Sequence, residues 1–480
     1  MKFRNFAAIN LYPTKMIVKQ LYTNCLAEAA YYIESNGEAA IIDPIRETSP
    51  YLDLLKEQGT KLKYVFETHF HADFVSGHID LAAKTGAKIV YGPEATTSYE
   101  VYNAKDGEVF KLGDVTIKAI HTPGHTLEST CFLLIDENGK EYALFSGDTL
   151  FVGDVGRPDL LDGVMTKEAL AGMMYDSLNN KIKKLADDVI LYPAHGPGSS
   201  CGKNIGKETW STIGEQKVNN YALQNMTKEE FVNILTHGLT PPPNYFFEDA
   251  KINKNGYQSI DNVMINNVKG LSVSEFKTAQ NNGALVLDTR HQDNFEKGFI
   301  KGSINIGLDG TFAIWVGTII DINKPLVLVT DIGKEEETIR RLARVGYENI
   351  LGYLEGGVET WMNAGNAMES IKSISPEEFA NQIKFGDNNV LDVRRISEVE
   401  NGQVKGAINI SLSDLNSNLN LLDKSEPYYV HCAGGYRSMI ASSILKANGF
   451  DNIINIHEGW IKMKQTDIPI ETGAPSNLVS

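Results

Sequence analysis

Cysteine is scarce in this chain. There are four in 480 residues (Cys25, Cys131, Cys201 and Cys432), widely scattered and with no CxxC pair. That excludes a disulfide framework and a zinc ribbon, fits a reducing compartment, and leaves each thiol to be read singly. Long apolar runs are missing as well. Nowhere do about 18 apolar residues follow one another, so no membrane-spanning helix is expected. The opening stretch, MKFRNFAAINLYPTK, starts basic but has no signal-peptide core, and a cytoplasmic protein is expected. Positive charge is also in deficit: 45 Lys and Arg against 61 Asp and Glu leave a net charge of −16. Nucleic acid and anionic membranes both need a positive field, so neither is an expected partner. Small anionic substrates respond to local charge and escape that argument.

The length implies about three domains, and 42% hydrophobic with 22% charged residues is ordinary for a globular protein. Up to about residue 255, short β-rich runs such as EAAIIDPI, KLKYVFETHF and YALFSGDTLF mix with helical segments. The stretch TPPPNYFFEDAKINKNG reads as a linker, because the consecutive prolines Pro241 to Pro243 cannot join a helix or a central strand. Beyond it the chain repeats itself. LSVSEF at Leu271 returns as ISPEEF at Ile374, LVLDTR ending at Arg290 returns as NVLDVR ending at Arg394, and VGYENI at Val345 returns as NGFDNI at Asn448, at offsets of 103 or 104 residues. One such period, repeated once, means two domains of one fold rather than a solenoid. In each copy apolar strands alternate with amphipathic helices, which implies a parallel sheet with chemistry at the carboxyl ends of its strands. The expected domains are 1–255, 256–369 and 370–480.

Six of the ten histidines lie between His69 and His195. His69, His71 and Asp73 follow the strand KLKYVFET, His125 sits in HTPGHT, Asp148 in FSGDTLF and His195 in LYPAHG. Each group follows an apolar run, so several strand ends can converge on one pocket, and imidazole with carboxylate suits zinc, iron or manganese. His78 and His121 lie close by without a ligand motif and are expected to be structural. Cys432, in YYVHCAGGYRSMIAS, falls between an apolar strand and a helix. Gly434 and Gly435 permit a tight loop of inward N–H groups, and Arg437 with the helix N-terminus favours a thiolate nucleophile. Cys201, in the glycine-rich AHGPGSSCGKN six residues after His195, is expected to be reactive; Cys25 and Cys131 are expected to be inert.

The ordered histidine motifs resemble the metallo-β-lactamase superfamily over roughly residues 15 to 240. The Cys432 loop, with LDVR, VKGAINI and HEGW, resembles a rhodanese over about 370 to 475. Four residues between Cys432 and Arg437 are one fewer than in the related phosphatases. The order of parts is similar to that of multidomain persulfide dioxygenase–rhodanese fusions of sulfide oxidation. The resemblance implies an α/β and α+β multidomain fold: a metallo-β-lactamase αββα sandwich followed by two rhodanese-like α/β domains with parallel sheets. It implies one Fe(II) per chain on His69, His125 and Asp148, with His71, Asp73 and His195 around them. Arg157, in GDVGRPDL, becomes a pocket anchor or substrate contact, as do Gly434, Gly435 and Arg437 at the second site. Cys432 and Cys201 are the implied catalytic thiols. Phe74 stands where the superfamily motif usually ends in histidine, which should cripple a second metal site. In the first repeat, Asp331 is read as standing at the place of Cys432, making that copy a pseudo-rhodanese. Expected reactants are small persulfides, O2 and sulfite, and a dimer or tetramer is expected. The rival readings are a glyoxalase II-like metallohydrolase and a non-catalytic persulfide carrier or sensor.

Overall fold

A computed structural model describes residues 16–161, 163–239, 241–243, 245–383 and 389–473; the basic opening stretch lies outside them. The chain divides into two compact units, Met1–Val263 with Leu342–Gly346, and Met264–Arg341 with Tyr347–Ser480.

The first unit holds two six-stranded sheets, each with its strands side by side in chain order. One runs Met16–Thr23, Glu28–Ser35, Glu38–Ile42, Lys61–Phe66, Lys88–Tyr91, Tyr102–Asn103. The other runs Val109–Leu112, Val115–His121, Thr130–Ile135, Glu141–Gly147, Ile190–Pro193, Ser211–Thr212. Strand residues alternate between faces, and that period decides the layers. Ala119, Phe132 and Leu134 turn inward to meet Ile42, Phe66 and Val90 of the first sheet. Ile120, Cys131 and Leu133 turn outward beneath Met174 and Leu178 of helix Lys167–Asn180 and Phe231 of helix Lys228–Thr236. Helix His78–Thr85 packs on the other sheet. Two sheets with helices outside form the αββα sandwich. Cys131 is therefore a core residue, and burial pushes its thiol up to about 11.

Residues 241–243 have no regular structure, as their prolines predict. The rest of the expected linker does not behave as one. Tyr245–Asn255 is a helix with Tyr245, Phe246, Asp249 and Asn253 buried, a spacing that sets one helical face inward. Helix Ile260–Asn267 follows.

The second unit contains the repeat. One sheet is ordered Gly270–Leu271, Ile350–Leu354, Leu326–Val329, Leu285–Asp288, Ile304–Asn305. The other is ordered Lys372–Ile374, Ile453–Ile456, Tyr428–His431, Asn389–Asp392, Ile408–Asn409. Their ladders are parallel and their strand orders identical. Register corrects one expectation. Asp288 pairs with Val329 and Asp392 with His431, so Val329 matches His431 and the counterpart of Cys432 is Thr330, not Asp331. Glu335 then occupies the place of Arg437. The first copy lacks the nucleophile and carries an acid where the second has an arginine.

The two copies share a core of Phe295, Phe299, Ile371 and Met439. Polar bonds add to it: Asn305 N donates to Ser443 Oγ at 3.0 Å, and Tyr436 OH to the Gly307 carbonyl at 2.7 Å.

Candidate metal centre and sulfur-transfer loop

Three buried donors converge where strands Lys61–Phe66 and Glu141–Gly147 end and in the loop after Val115–His121. One ligand atom each from His69, His125 and Asp148 lie within 4.8 Å of one another. His125 Nε2 is 3.4 Å and His69 Nε2 3.9 Å from Asp148 Oδ2. The other ring nitrogens are engaged elsewhere, which fixes the tautomers. His125 Nδ1 donates to the Arg157 carbonyl at 2.8 Å. Thr68 Oγ1 gives its one proton to Asp43 at 2.8 Å, so at 2.9 Å from His69 Nδ1 it accepts the ring N–H. Both Nε2 atoms thus present lone pairs to the centre. His125 Nε2 and both Asp148 oxygens are buried with no hydrogen-bond partner. Buried polar atoms rarely stay unpaired without an ion or water to satisfy them, and this donor set fits a metal with open coordination positions.

His195 Nδ1 lies 3.2 Å from the Ala27 carbonyl, and its Nε2 lies 3.4 Å from Asp73 and 3.6 Å from Asp148. Burial pulls its pKa down, but Asp73 and Asp148 outweigh that and raise it overall. His69 is driven well down by burial and by its histidine neighbours. His71 lies beside His69, ring centroids 4.3 Å apart, with its Nε2 3.1 Å from Asp43 and 3.5 Å from Glu67 and Phe74 against its ring at 4.4 Å. His78 bonds to Tyr99 OH and His121 to the Leu127 carbonyl, both structural contacts.

Cys201 is fully buried, and its sulfur groups with Asp73 and His195 within 4.8 Å. Burial first, then Asp73 and Asp148, push its thiol well up. Asp73, His195 and Cys201 thus form a buried donor group distinct from His69, His125 and Asp148. Arg157 clamps this loop: its N–H donates to the Cys201 carbonyl at 2.9 Å and its guanidinium to Asp159 at 2.6 and 2.8 Å. Its guanidinium also donates to the Ser200 carbonyl at 3.2 Å. Gly156 must be glycine, because a Cβ would come within 2.2 Å of the Asp148 carbonyl and 2.8 Å of His125 Nδ1.

Sequence reading missed Asn253. From the supposed linker its side-chain amide donates to the His71 and Phe74 carbonyls at 2.7 and 2.8 Å and accepts from Ser76 N at 2.9 Å. An asparagine about 180 residues downstream leaves no local signal of that role.

In the second unit Cys432 follows strand Tyr428–His431 directly and is 1% exposed. The Gly435 N–H points at its sulfur at 3.1 Å, a donor for negative charge there. Gly435 has φ +99°, which glycine adopts freely. Trp460 N and Ile461 N bond to the Cys432 and Ala433 carbonyls at 2.7 and 3.0 Å, so the HEGW turn holds the loop from behind. Arg437 is locked to Glu398 by two bonds of 2.7 Å. Asp392 and Arg394 form a buried pair, with Arg394 over the Trp460 ring at 4.5 Å. A cavity of about 280 Å³ opens on Cys432, Gly434, Tyr436, Arg437 and Arg395, and on Thr311 and Trp315 of the first copy.

Comparison with known proteins agrees with both halves. Residues 23–195 match the metallo-beta-lactamase superfamily, and residues 272–364 and 375–466 each match a rhodanese-like domain. The human protein named Persulfide dioxygenase ETHE1, mitochondrial, is 29% identical over 232 residues, 48% of this chain and 84% of the relative. A Schizosaccharomyces pombe protein named Probable hydroxyacylglutathione hydrolase glo2 is 35% identical over 160 residues, 32% of this chain; the chain spans 58% of that hydrolase's length. A solved metallo-beta-lactamase structure from Staphylococcus aureus subsp. aureus COL is 33% identical with a TM-score of 0.65, covering 71% of this chain and 99% of its own. No helix among the described residues is long and apolar enough to cross a membrane. The chain belongs to the metallo-β-lactamase superfamily, with two rhodanese-like domains following the metal-site domain on the same polypeptide.

Proposed function

We propose that the chain oxidises small thiol persulfides with O2 at one iron per chain and passes sulfane sulfur through Cys432 to sulfite, disposing of sulfide-derived sulfur as thiosulfate. The observation that carries this reading is the pairing, in one chain, of an open His69–His125–Asp148 donor set with a cysteine loop whose N–H meets the sulfur. Similarity to a persulfide dioxygenase over most of that relative supports it.

Iron held by His69, His125 and Asp148 would supply open positions for a persulfide sulfur and for O2, and the redox chemistry between them. The balance is RSSH + O2 + H2O giving RSH, sulfite and two protons. The chain's own residues do the rest. Thr68 and the Arg157 carbonyl hold the two imidazoles in ligand geometry. His195, its Nε2 3.4 Å from Asp73 and 3.6 Å from Asp148, is placed to hydrogen-bond a reactant beside that carboxylate. Burial of every group in the pocket excludes water. In the second domain the Cys432 thiolate attacks the outer sulfur of RSSH; RSH leaves and a Cys432 persulfide forms. Sulfite then attacks that outer sulfur, the Sγ–S bond breaks, and its electron pair returns to Sγ as thiolate, releasing thiosulfate. Fusion of the two sites keeps sulfite concentrated near Cys432. We place this chemistry in the cytoplasm, in a homo-oligomer.

One observation favours a second reading. Asp73, His195 and Cys201 form a further donor group, which a two-metal hydrolase similar to the hydroxyacylglutathione hydrolases could use. Metal analysis with O2 uptake against a panel of persulfides separates the two. One iron with sulfite and thiosulfate as products supports the dioxygenase; two zinc ions with thioester hydrolysis and no O2 uptake support the hydrolase.

A further inference from the structure

The Cys432 cavity has walls from both repeats. From the catalytic copy come the Gly434–Gly435 loop, Arg395 and Arg437; from the copy without a nucleophile come Thr311 and Trp315. Helix Phe312–Ile319 carries Trp315, whose neighbours Phe312, Ala313 and Val316 are buried and hold it in place. Its position is fixed from the other side too. Tyr436, next to the nucleophile loop, donates to the Gly307 carbonyl, and its ring covers Gly310, where a Cβ would come within 2.3 Å of it. The wall and the loop therefore belong to one packed body.

The polar groups around this cavity are unevenly used. Arg437 is matched in charge by Glu398. Arg395 is exposed and forms no ion pair with a described carboxylate. Thr311 begins its helix without a side-chain capping bond, and nothing among the described residues accepts from the Trp315 indole N–H. One free cation and two free donors thus line the rim around a sulfur that must meet an anion. Sulfite presents three oxygens around a pyramidal sulfur while its lone pair attacks, and such a nucleophile needs donors set beside the persulfide rather than behind it.

We propose that the first rhodanese-like copy completes the acceptor site of the second: Thr311 and Trp315 with Arg395 bind the oxygens of a sulfur oxyanion, sulfite, and aim its sulfur at the Cys432 persulfide. This rests on the sulfur-transfer reading of Cys432. Catalysis stays with Cys432; the three rim residues bind and position the acceptor. Loss of the nucleophile in the first copy is then compatible with its retention, because its contribution is a wall.

The test uses the full chain without oxygen, so that the metal centre consumes no donor. Cys432 is loaded from glutathione persulfide, and transfer is measured to sulfite and, separately, to cyanide, which carries no oxygens. Variants are Arg395→Gln, Trp315→Phe and Thr311→Val, each close in shape to the original. We expect the sulfite-over-cyanide ratio of kcat/KM to fall about tenfold for Arg395→Gln, the loss of one charge-assisted contact. It should fall about threefold for each of the others, through KM for sulfite. Ratios equal to the unmodified chain overturn the proposal. If the unmodified chain transfers sulfur to neither acceptor, the sulfur-transfer reading itself is overturned, a different and recognisable failure.

Discussion

Asn253→Ala tests whether the helix after the prolines belongs to the metal centre. The side chain is 1% exposed and joins the His71 and Phe74 carbonyls and the Ser76 N–H. Each bond contributes about 1 kcal/mol net, and leaving the backbone groups buried without partners raises the total to roughly 3–5 kcal/mol. For a unit of this size about 1 kcal/mol moves the midpoint by ~2–4 °C, so the first unit should melt roughly 10 °C lower. The loop it pins runs through His69, so metal retention should weaken as well. Calorimetry on the full chain, with metal content measured after gel filtration, gives both readouts. Sulfur transfer from Cys432 to cyanide at 25 °C should be untouched, because that loop draws no hydrogen bond from Asn253. A midpoint within about 2 °C of the unmodified chain, with full metal content, would refute the reasoning.

Replacing His69, His125 or Asp148 by Ala should abolish O2 uptake and lower iron below one per chain; two firmly held zinc ions in the unmodified chain would sink the iron assignment. Cys432→Ser should keep iron content and persulfide oxidation while the product shifts from thiosulfate to free sulfite, and unchanged thiosulfate yield would move the transfer elsewhere. Cys201→Ser distinguishes the two metal readings: a drop from two metal ions to one marks Cys201 as a ligand, and altered product ratios at constant metal mark a sulfur role. Glu398 has its folded pKa lowered, burial opposing and Arg437 outweighing it. The pair therefore contributes above the ordinary carboxylate range and is lost as pH falls through the depressed value. Acid inactivation of Cys432 transfer should track that fall, and Glu398→Gln should remove this component of the pH profile.

The histidine motifs, the repeat and the strand–loop–helix around Cys432 were legible because each is local: an apolar run, a breaker and a chemical side chain within ten residues. What escaped was non-local. Asn253 and Trp315 reach their sites through packing between segments far apart in the chain, and neither residue type is distinctive. The mistaken counterpart of Cys432 has a simpler cause. Asp331 stands 101 residues before Cys432, whereas the paired strands Leu326–Val329 and Tyr428–His431 repeat at 102, so the reading ran one residue past the strand end. Backbone pairing fixes what counting along loops does not. The prolines near residue 242 misled in the opposite direction: they end one element but say nothing about the helix that starts at Tyr245.

The core shared by Phe295, Phe299, Ile371 and Met439 bears on how such a chain can be inherited. The last hundred residues look like a detachable cassette, with their own sheet and nucleophile. Cut free, they would expose Ile371 and Met439 to water and leave the Tyr436 hydroxyl without its acceptor beside the reactive loop. The unit that recombination can move intact is the pair of copies, and a lineage that shed the inert one would have to rebuild half a hydrophobic seam first. The copy without a nucleophile supplies its neighbour with part of the surface it packs against.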